Sequence, residues 1–579
     1  MKKLIILAAT AIALVSCNFL EPLSRGMISQ EEIEGYPTYV RGYLEKCYYY
    51  LPTSYNSNEF ANLDALCDNA VMTDVNHAMN RFANGTLQAT NDPFGTYWNR
   101  FYQIINSANL FLQDNIGINT TYEYTDNDLP RRRRMQGEAF AHRAWAGFCL
   151  LRMFGGQDAS GEYLGFPIRT EPADFANIDI DDVRRDSYSD CVTQIISDCD
   201  SALKYLPKMY RDAISDNIAV TGGASFHRLD QLSVLTIKAL TYLQWASPAF
   251  NPQGDASRWE KAAEAAAKAI DIKMEVDGGN YGFQANQKFD WGDPNSAEII
   301  WSSFDTKGHQ YESAYYPDGQ GGNSIIGPSQ ELVDAFPMAN GYPIRDSRSG
   351  YNPSKPYDGR DPRFYENIYY HNAKIGTLYT IDASVTGTEA PRAVGSTRTG
   401  YFLRKFTYNG YNKDATNPVT KAVSVAFLRW THLLLAYAES MNQAYGPTAN
   451  PRQYAMTAKD AIAAIRSREQ FYSGPTPLAA SDPYLDECAG SKAAFDALVR
   501  NERRIETCFE GLRMFDLQRW SKSASDLNVT IHAAKIEGGS YDTEVCETRT
   551  YQSQWFPIPY NDCKNAGNLI QNAGWEAWK

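Results

Sequence analysis

"HRLDQLSVLTIKALTYLQWA", residues 227–246, followed after a short link by "RWEKAAEAAAKAIDI", residues 258–272, decides how this chain folds. The first stretch is apolar at helical spacing and is closed by Pro248, which cannot continue a helix. In the second, Trp259, Ala262, Ala263, Ala266 and Ile270 fall on one face at the same spacing. Side-chain size at a helix contact sets the distance between the two axes, so an alanine face lets a neighbour come close. A long helix, a short link and an alanine-faced partner make an antiparallel helix hairpin.

Working outward, the same period recurs. "TYWNRFYQIINSANLFL" (96–112) carries Trp98, Tyr102, Ile105 and Asn109 on one stripe, which assigns Trp98 to the core. "GEAFAHRAWAGFCLLRMFGG" (137–156) is a strong helix whose final Gly155 and Gly156 predict a glycine C-cap. "FLRWTHLLLAYAESMNQAYG" (427–446), "AKDAIAAIRSRE" (458–469) and "AAFDALVRNERRIETCFEGLRMFDLQRW" (493–520) continue the series. Successive hairpins of this sort read as a tetratricopeptide-like array, although no strict repeat of about 34 residues returns. Between about Tyr281 and Thr420 the character changes to glycine, proline, tyrosine and asparagine, as in "YYPDGQGGNSIIGP" (315–328) and "GYNPSKPYDGRDPRF" (350–364). That stretch is too long to be a mere connection. The expected fold is therefore mainly α: a tetratricopeptide-like helical-hairpin scaffold with a large loop-rich lobe containing short strands. The expected divisions are 1–16, 17–280 and 281–579, the last comprising the lobe and the C-terminal helices.

The N-terminus carries an address. Lys2 and Lys3 precede an apolar run from Leu4 to Val15, a secretory pattern. The run is shorter than the roughly twenty residues a spanning helix needs. It ends in Leu14-Val15-Ser16-Cys17, the order at which bacterial lipoproteins are cleaved and acylated on the cysteine. Residues 1–16 are read as a lipoprotein signal peptide and Cys17 as the lipidation site. Removing the two lysines takes the formal charge from −13 to −15, which argues against nucleic acid as a partner.

Ten cysteines occur, nine of them after Cys17. No CxxC pair exists, Cys191 and Cys199 could pair only across a bent helix, and Cys149 and Cys508 sit in apolar helical stretches. Buried thiols are the expectation. Neither a metal site nor a cofactor is expected: the seven histidines are scattered without an HExxH pair, and "GQGGN" (319–323) lacks the lysine and helix of a phosphate loop. No GxSxG elbow is present, and "RRRR" (131–134) reads as a solvated or ion-paired helix edge.

Catalysis has one candidate constellation. Phe495, Leu498, Glu502, Ile505, Glu506 and Phe509 share a face, and two carboxylates four residues apart could serve a retaining glycosidase. Arg500, Arg503, Arg504, Arg513 and Arg519 crowd the same stretch, so the expected reading of Glu502 and Glu506 is buried ion pairs that fix helix docking. Binding has two candidates. Tyrosine (38) outnumbers phenylalanine (26) and eleven tryptophans are present, a usage suited to partly wet surfaces and sugar rings. In "RFANGTLQATNDPFGTYW" (81–98), Arg81, Phe82, Asn84, Asn91, Asp92 and Phe94 interleave rings with polar groups. Between Trp291 and Tyr316, Trp291, Tyr311, Tyr315 and Tyr316 do the same.

Motifs spread over nearly the whole chain, in order, resemble the SusD/RagB family of outer-membrane lipoproteins of Bacteroidetes-type bacteria. They are "LVSCNFLEP" (14–22), "YWNRFYQIINSAN" (97–109), "GEAFAHRAWAGFCLLRMFGG", "RWEKAAEAAAKAI" and "SAEIIWS" (296–302). "PSQELVDAFP" (328–337) with "GRDPRF" (359–364), "TGYFLRKF" (399–406) and "FLRWTHLLLAYAES" follow. "NERRIETCFEGLRMFDLQRW" (501–520) and "FPIPYNDCKNAGNLIQNAGW" (556–575) complete the series. The resemblance departs at "NDCKNAGNL", where a proline is more usual. It implies a non-enzymatic receptor, held to the outer membrane through Cys17 with its body at the cell surface. Such a receptor covers a SusC-like TonB-dependent transporter as a lid and captures oligosaccharide or, in some members, peptide. Ligand residues vary in that family, so none is transferred. A bare helical scaffold with protein partners only is the remaining alternative.

Overall fold

A computed structural model of the chain describes residues 35–54, 61–173, 179–277, 283, 289–293, 295–303, 308–377, 379–416, 418–468 and 482–578. The address segment 1–16, Cys17 and the expected division at 280/281 lie outside these residues. Ten described helices have eight residues or more: α1 (Pro37–Tyr49), α2 (Gly95–Leu112), α3 (Asp128–Phe154), α4 (Tyr188–Ala202), α5 (Gln231–Ala246), α6 (Ala256–Asp277), α7 (Trp430–Tyr445), α8 (Ala458–Arg468), α9 (Lys492–Glu506) and α10 (Arg513–Trp520). Contacts run α1–α2, α2–α3, α3–α4, α4–α5, α5–α6, α6–α7 and α7–α8, so each helix up to α8 packs on its predecessor in an array of hairpins, while α9 packs back on α7.

The deciding hairpin is α5–α6. Asp230 starts α5 by accepting from the Ser233 amide at 2.8 Å, an N-cap that satisfies one of the free first-turn donors. Ala262, Ala263, Ala266 and Ile270 are buried as the spacing requires, and Ala265, Ala267 and Ala269 join them. The extra buried alanines have a reason: α6 is covered twice, by α5 and by α7. Ser187 and Ser491 cap α4 and α9 in the same way as Asp230 caps α5.

The end of α3 differs from expectation. Gly155 has φ −67°, so no left-handed cap forms. The glycines serve space instead. A Cβ on Gly155 would meet the Leu151 carbonyl at 2.4 Å, and one on Gly156 would meet the Trp555 indole at 2.7 Å. Residues 555–575 fold back against this end of α3. Asn572 donates to the Phe154 carbonyl at 2.9 Å and accepts from Arg185 at 2.9 Å, and the Ala573 amide donates to Gln157 at 2.8 Å.

The strands are short. Antiparallel pairs join β1 (Ala70–Met72) to β3 (Ile326–Pro328) and β2 (Ile299–Ser302) to β4 (Ala426–Arg429), while β5 (Val529–Glu537) and β6 (Ser540–Arg549) form a hairpin. One hydrophobic cluster extends from Cys47 to Trp578 and includes both helices and lobe. The nine described cysteines are buried and unbridged, and Cys191 and Cys199 lie two turns apart on α4, about 12 Å along its axis. Among the described residues no helix is long and apolar enough to cross a membrane.

Candidate functional site

Glu502 and Glu506 stand one turn apart on α9 and face inward, and both are buried. Glu502 accepts from Arg363 at 2.9 Å through one oxygen and from Arg466 through the other. Glu506 accepts from Arg468 at 2.8 Å and from Arg363 at 3.3 Å, with Arg429 at 3.5 Å. Glu510 closes the cluster through Arg429 at 2.6 Å, Lys405 at 2.7 Å and His432 at 2.8 Å. Burial acts to raise the Glu506 carboxyl, but Arg468, Arg429 and Arg363 together hold it well below the usual range. A glycosidase acid needs a raised pKa and an open approach. The geometry is that of an ionic clasp joining α9, α8, β4 and the short helix Pro362–Asn367.

The aromatic members of the two loop sets are core residues. Phe82 stacks on Phe556 (5.0 Å between centroids) and Trp575 (5.9 Å), with Phe94 edge-on at 5.5 Å. Tyr311, Tyr315 and Tyr316 are buried, and the Tyr316 hydroxyl donates to the Tyr408 carbonyl at 3.0 Å. Trp291 is half-buried against Phe289 and Phe406, with Arg429 and Lys405 over its ring at 5.2 and 5.3 Å. None of these rings offers a sugar an open face, except the remaining edge of Trp291. The reason is long-range: each ring is covered by residues far away in sequence.

The polar members are placed differently. Arg81 is half-buried and donates to Asn76 at 3.3 Å and to Asn91 at 3.1 Å. Asn84 ends the short helix Ala78–Ala83. Asn91 is exposed. Asp92 accepts from the Phe94 amide at 2.7 Å at the start of α2 and also from the Tyr560 backbone; burial raises its carboxyl. The β1–β3 pairing is extended by Thr73, whose amide donates to the Ile325 carbonyl at 3.0 Å; neither residue belongs to the two loop sets.

Beside Asp92 a cleft of about 890 Å³ runs along α2, walled by residues 167–173 and by the stretch from Asp562 to Leu569. The stripe that sequence spacing assigned to the core builds this wall. Trp98 is 5% exposed and lies against Tyr102 (5.0 Å) and Phe154 (5.0 Å). The Tyr102 hydroxyl donates to the Pro167 carbonyl at 2.8 Å. Asn109 donates to Glu171 at 2.8 Å and Arg169 at 3.2 Å, and is itself held by Arg143, which is paired to Asp198 at 2.6 Å. Asn106 accepts from the Ala173 amide at 2.8 Å. Asn99 and Gln103 remain exposed on the open side, and Asp562 stands half-buried opposite with its carboxyl raised by burial. Sequence reasoning missed this cleft. Its signal was the amide row Asn99, Gln103, Asn106 at i, i+4 and i+7, adjoining the aromatic stripe.

Aromatic and apolar floor, convergent amides and a carboxylate suit a neutral, hydroxyl-rich ligand. Among the described residues no group of three or more histidine, cysteine or acidic side chains is placed to hold a metal.

Comparison with known proteins agrees with this architecture. The SusD family model matches residues 272–575, and a second, described as starch-binding associating with outer membrane, matches residues 26–220. The chain belongs to the SusD family. A SusD-like protein of Bacteroides fragilis superposes with a TM-score of 0.70 at 20% identity, covering 94% of this chain and 98% of its own. A SusD-like carbohydrate binding protein of the same organism gives 0.70 at 20% identity, with 93% and 99% covered. A SusD homolog of Bacteroides thetaiotaomicron gives 0.61 at 17%, with 94% and 99% covered. At these identities the likeness is one of fold. No protein of curated function matches the chain.

Proposed function

We propose that the protein is a non-catalytic, outer-membrane-associated lipoprotein that captures oligosaccharide and passes it to a TonB-dependent transporter. The observation that carries this reading is the pair of family matches, which together span most of the chain and include one described as starch-binding. The α2 cleft supplies a place for the ligand. Tyr102 and the edge of Trp98 meet the C–H face of a sugar, Asn99, Gln103 and Asn565 bond its hydroxyls, and Asp562 accepts from them. Arg81, Asn84, Asn91 and Asp92 extend the polar surface beyond the start of α2. Lipidation at Cys17 keeps the body on the membrane, and the transporter lies beneath it.

The test is affinity electrophoresis of the detergent-solubilised full chain through gels holding different polysaccharides, with reducing ends assayed in the same samples. Retardation without new reducing ends is expected. A double variant, Asn99→Ala with Gln103→Ala, removes two hydrogen bonds worth about 1 kcal/mol each and should weaken binding about thirtyfold. Retention by peptide and by no glycan would overturn the ligand class. New reducing ends would overturn the absence of catalysis. Unchanged affinity in the double variant would move the site away from α2.

A further inference from the structure

On the other side of α2 lies a second, smaller space. A cavity of about 100 Å³ sits between α2, α3, α5 and the α9–α10 connection. Its charged lining is unequal: Arg100, Arg152, Arg503 and Arg519 face Glu510 and Asp516, with His432 beside them. Both carboxylates are already committed. Glu510 serves Arg429, Lys405 and His432, as described above. Asp516 gives its two oxygens to Arg503 at 2.8 and 3.0 Å, and one of them again to Arg519 at 2.9 Å. Arg519 is completed by Glu439, at 2.6 Å through each oxygen.

Among the described cations that line the cavity, Arg152 is one that neither carboxylate serves. Its guanidinium lies over the rings of Phe148 (5.1 Å) and Phe515 (4.5 Å), and its Nε has no acceptor within the protein. Two further groups that line the same cavity also lack a partner: Nη1 of Arg503 and the Tyr97 hydroxyl. Arg152, Arg503 and Tyr97 come from different elements and line the same cavity. Ring faces offset the charge of this half-buried side chain only in part, and its Nε is shut off from solvent. Burial also pushes the Arg152 pKa down. Water would satisfy the donors but leave the charge.

We propose that this cavity binds a small inorganic anion, of the halide or nitrate class, between Arg152 and Arg503. The volume admits such an ion together with water, which needs only about 10–15 Å³ of such space. The site is separate from the glycan cleft, so neither proposal depends on the other.

The experiment uses the full chain in detergent, exchanged into sodium gluconate, a bulky organic anion, as the reference salt. Bromide replaces gluconate at constant ionic strength while the thermal midpoint is followed. Above its dissociation constant, bromide should raise the folded-to-unfolded ratio about tenfold per tenfold of anion. Arg152→Met, an apolar side chain that fits between the two rings, should abolish the dependence. Anomalous scattering from bromide-soaked crystals of the unsubstituted protein should place a peak beside Arg152 and Arg503. Equal bromide dependence in both proteins, or a cavity map showing water alone, would overturn the proposal. Should the variant fail to fold, the bromide map decides by itself.

Discussion

Glu502→Gln tests the ionic clasp directly. The carboxylate is fully buried and each oxygen receives a guanidinium, Arg363 on one side and Arg466 on the other. Glutamine is nearly the same shape but offers one acceptor and turns its amide donors toward the second arginine. Arg363 keeps Asp361 at 2.8 Å and Arg466 keeps Asp482, so neither cation is wholly abandoned. Removing one partner of a buried pair costs about 3–5 kcal/mol, and the remaining contacts favour the lower end. Unfolding entropy of about 2.1 cal/mol/K per residue, over 579 residues, gives roughly 1.2 kcal/mol/K. The thermal midpoint should therefore fall by about 3 °C, measured by calorimetry at neutral pH. A midpoint within about 0.5 °C of the unsubstituted protein, equivalent to about 0.6 kcal/mol on that slope, would refute the clasp. Loss of a polysaccharide-cleaving activity with an unchanged midpoint would restore the catalytic reading of Glu502 and Glu506.

Acid should loosen the same clasp. Glu506 and Glu510 are held below the ordinary glutamate value by Arg468, Arg429, Arg363 and Lys405 against the opposing effect of burial. Their contribution is complete above the unfolded pKa and is lost as pH falls through the folded one, so the urea midpoint should decline from pH 5 to pH 3. Asp230 runs the other way: burial raises it to about 7, so its ionisation in the folded state lowers stability as pH rises from about 4 to 7. Asp230→Asn keeps an acceptor for Ser233 and should gain more urea resistance at pH 8 than at pH 5; an equal gain at both would contradict this sign. The thiols should be silent in the native protein. Burial pushes Cys149 and Cys191 up to about 12, so Ellman's reagent should read no fast-reacting cysteine until denaturant is added, and a rapid native phase would count against the packing.

What could be read from sequence was what repeats within a few residues. Ala262, Ala263, Ala266 and Ile270 are buried because a 3.6-residue period is a local property and one face of α6 must lie inward. Glu502 and Glu506 read as ion pairs because arginines crowd the same stretch, but their actual partners, Arg363, Arg429, Arg466 and Arg468, come from outside it, while Arg503 and Arg519 serve Asp516 and Arg504 and Arg513 serve Asp68. The loop aromatics resisted the same approach. Phe82 stands in a six-residue helix, too short to show a period, and its partners Phe556 and Trp575 lie at the far end of the chain. Trp98 was legible as buried but not as a cleft wall, because the covering segment 167–173 has no helical signature. Gly155 and Gly156 marked the end of α3 for a reason that only the indole of Trp555 supplies.

That indole has a consequence for how the protein is made. The end of α3 is closed by Trp555 and Asn572, which are synthesised about 400 residues after it. A nascent chain that still lacks them exposes Phe82, Phe94 and Gly156 to solvent with nothing to cover them. The scaffold thus completes its core only after residues 555–575 have been made.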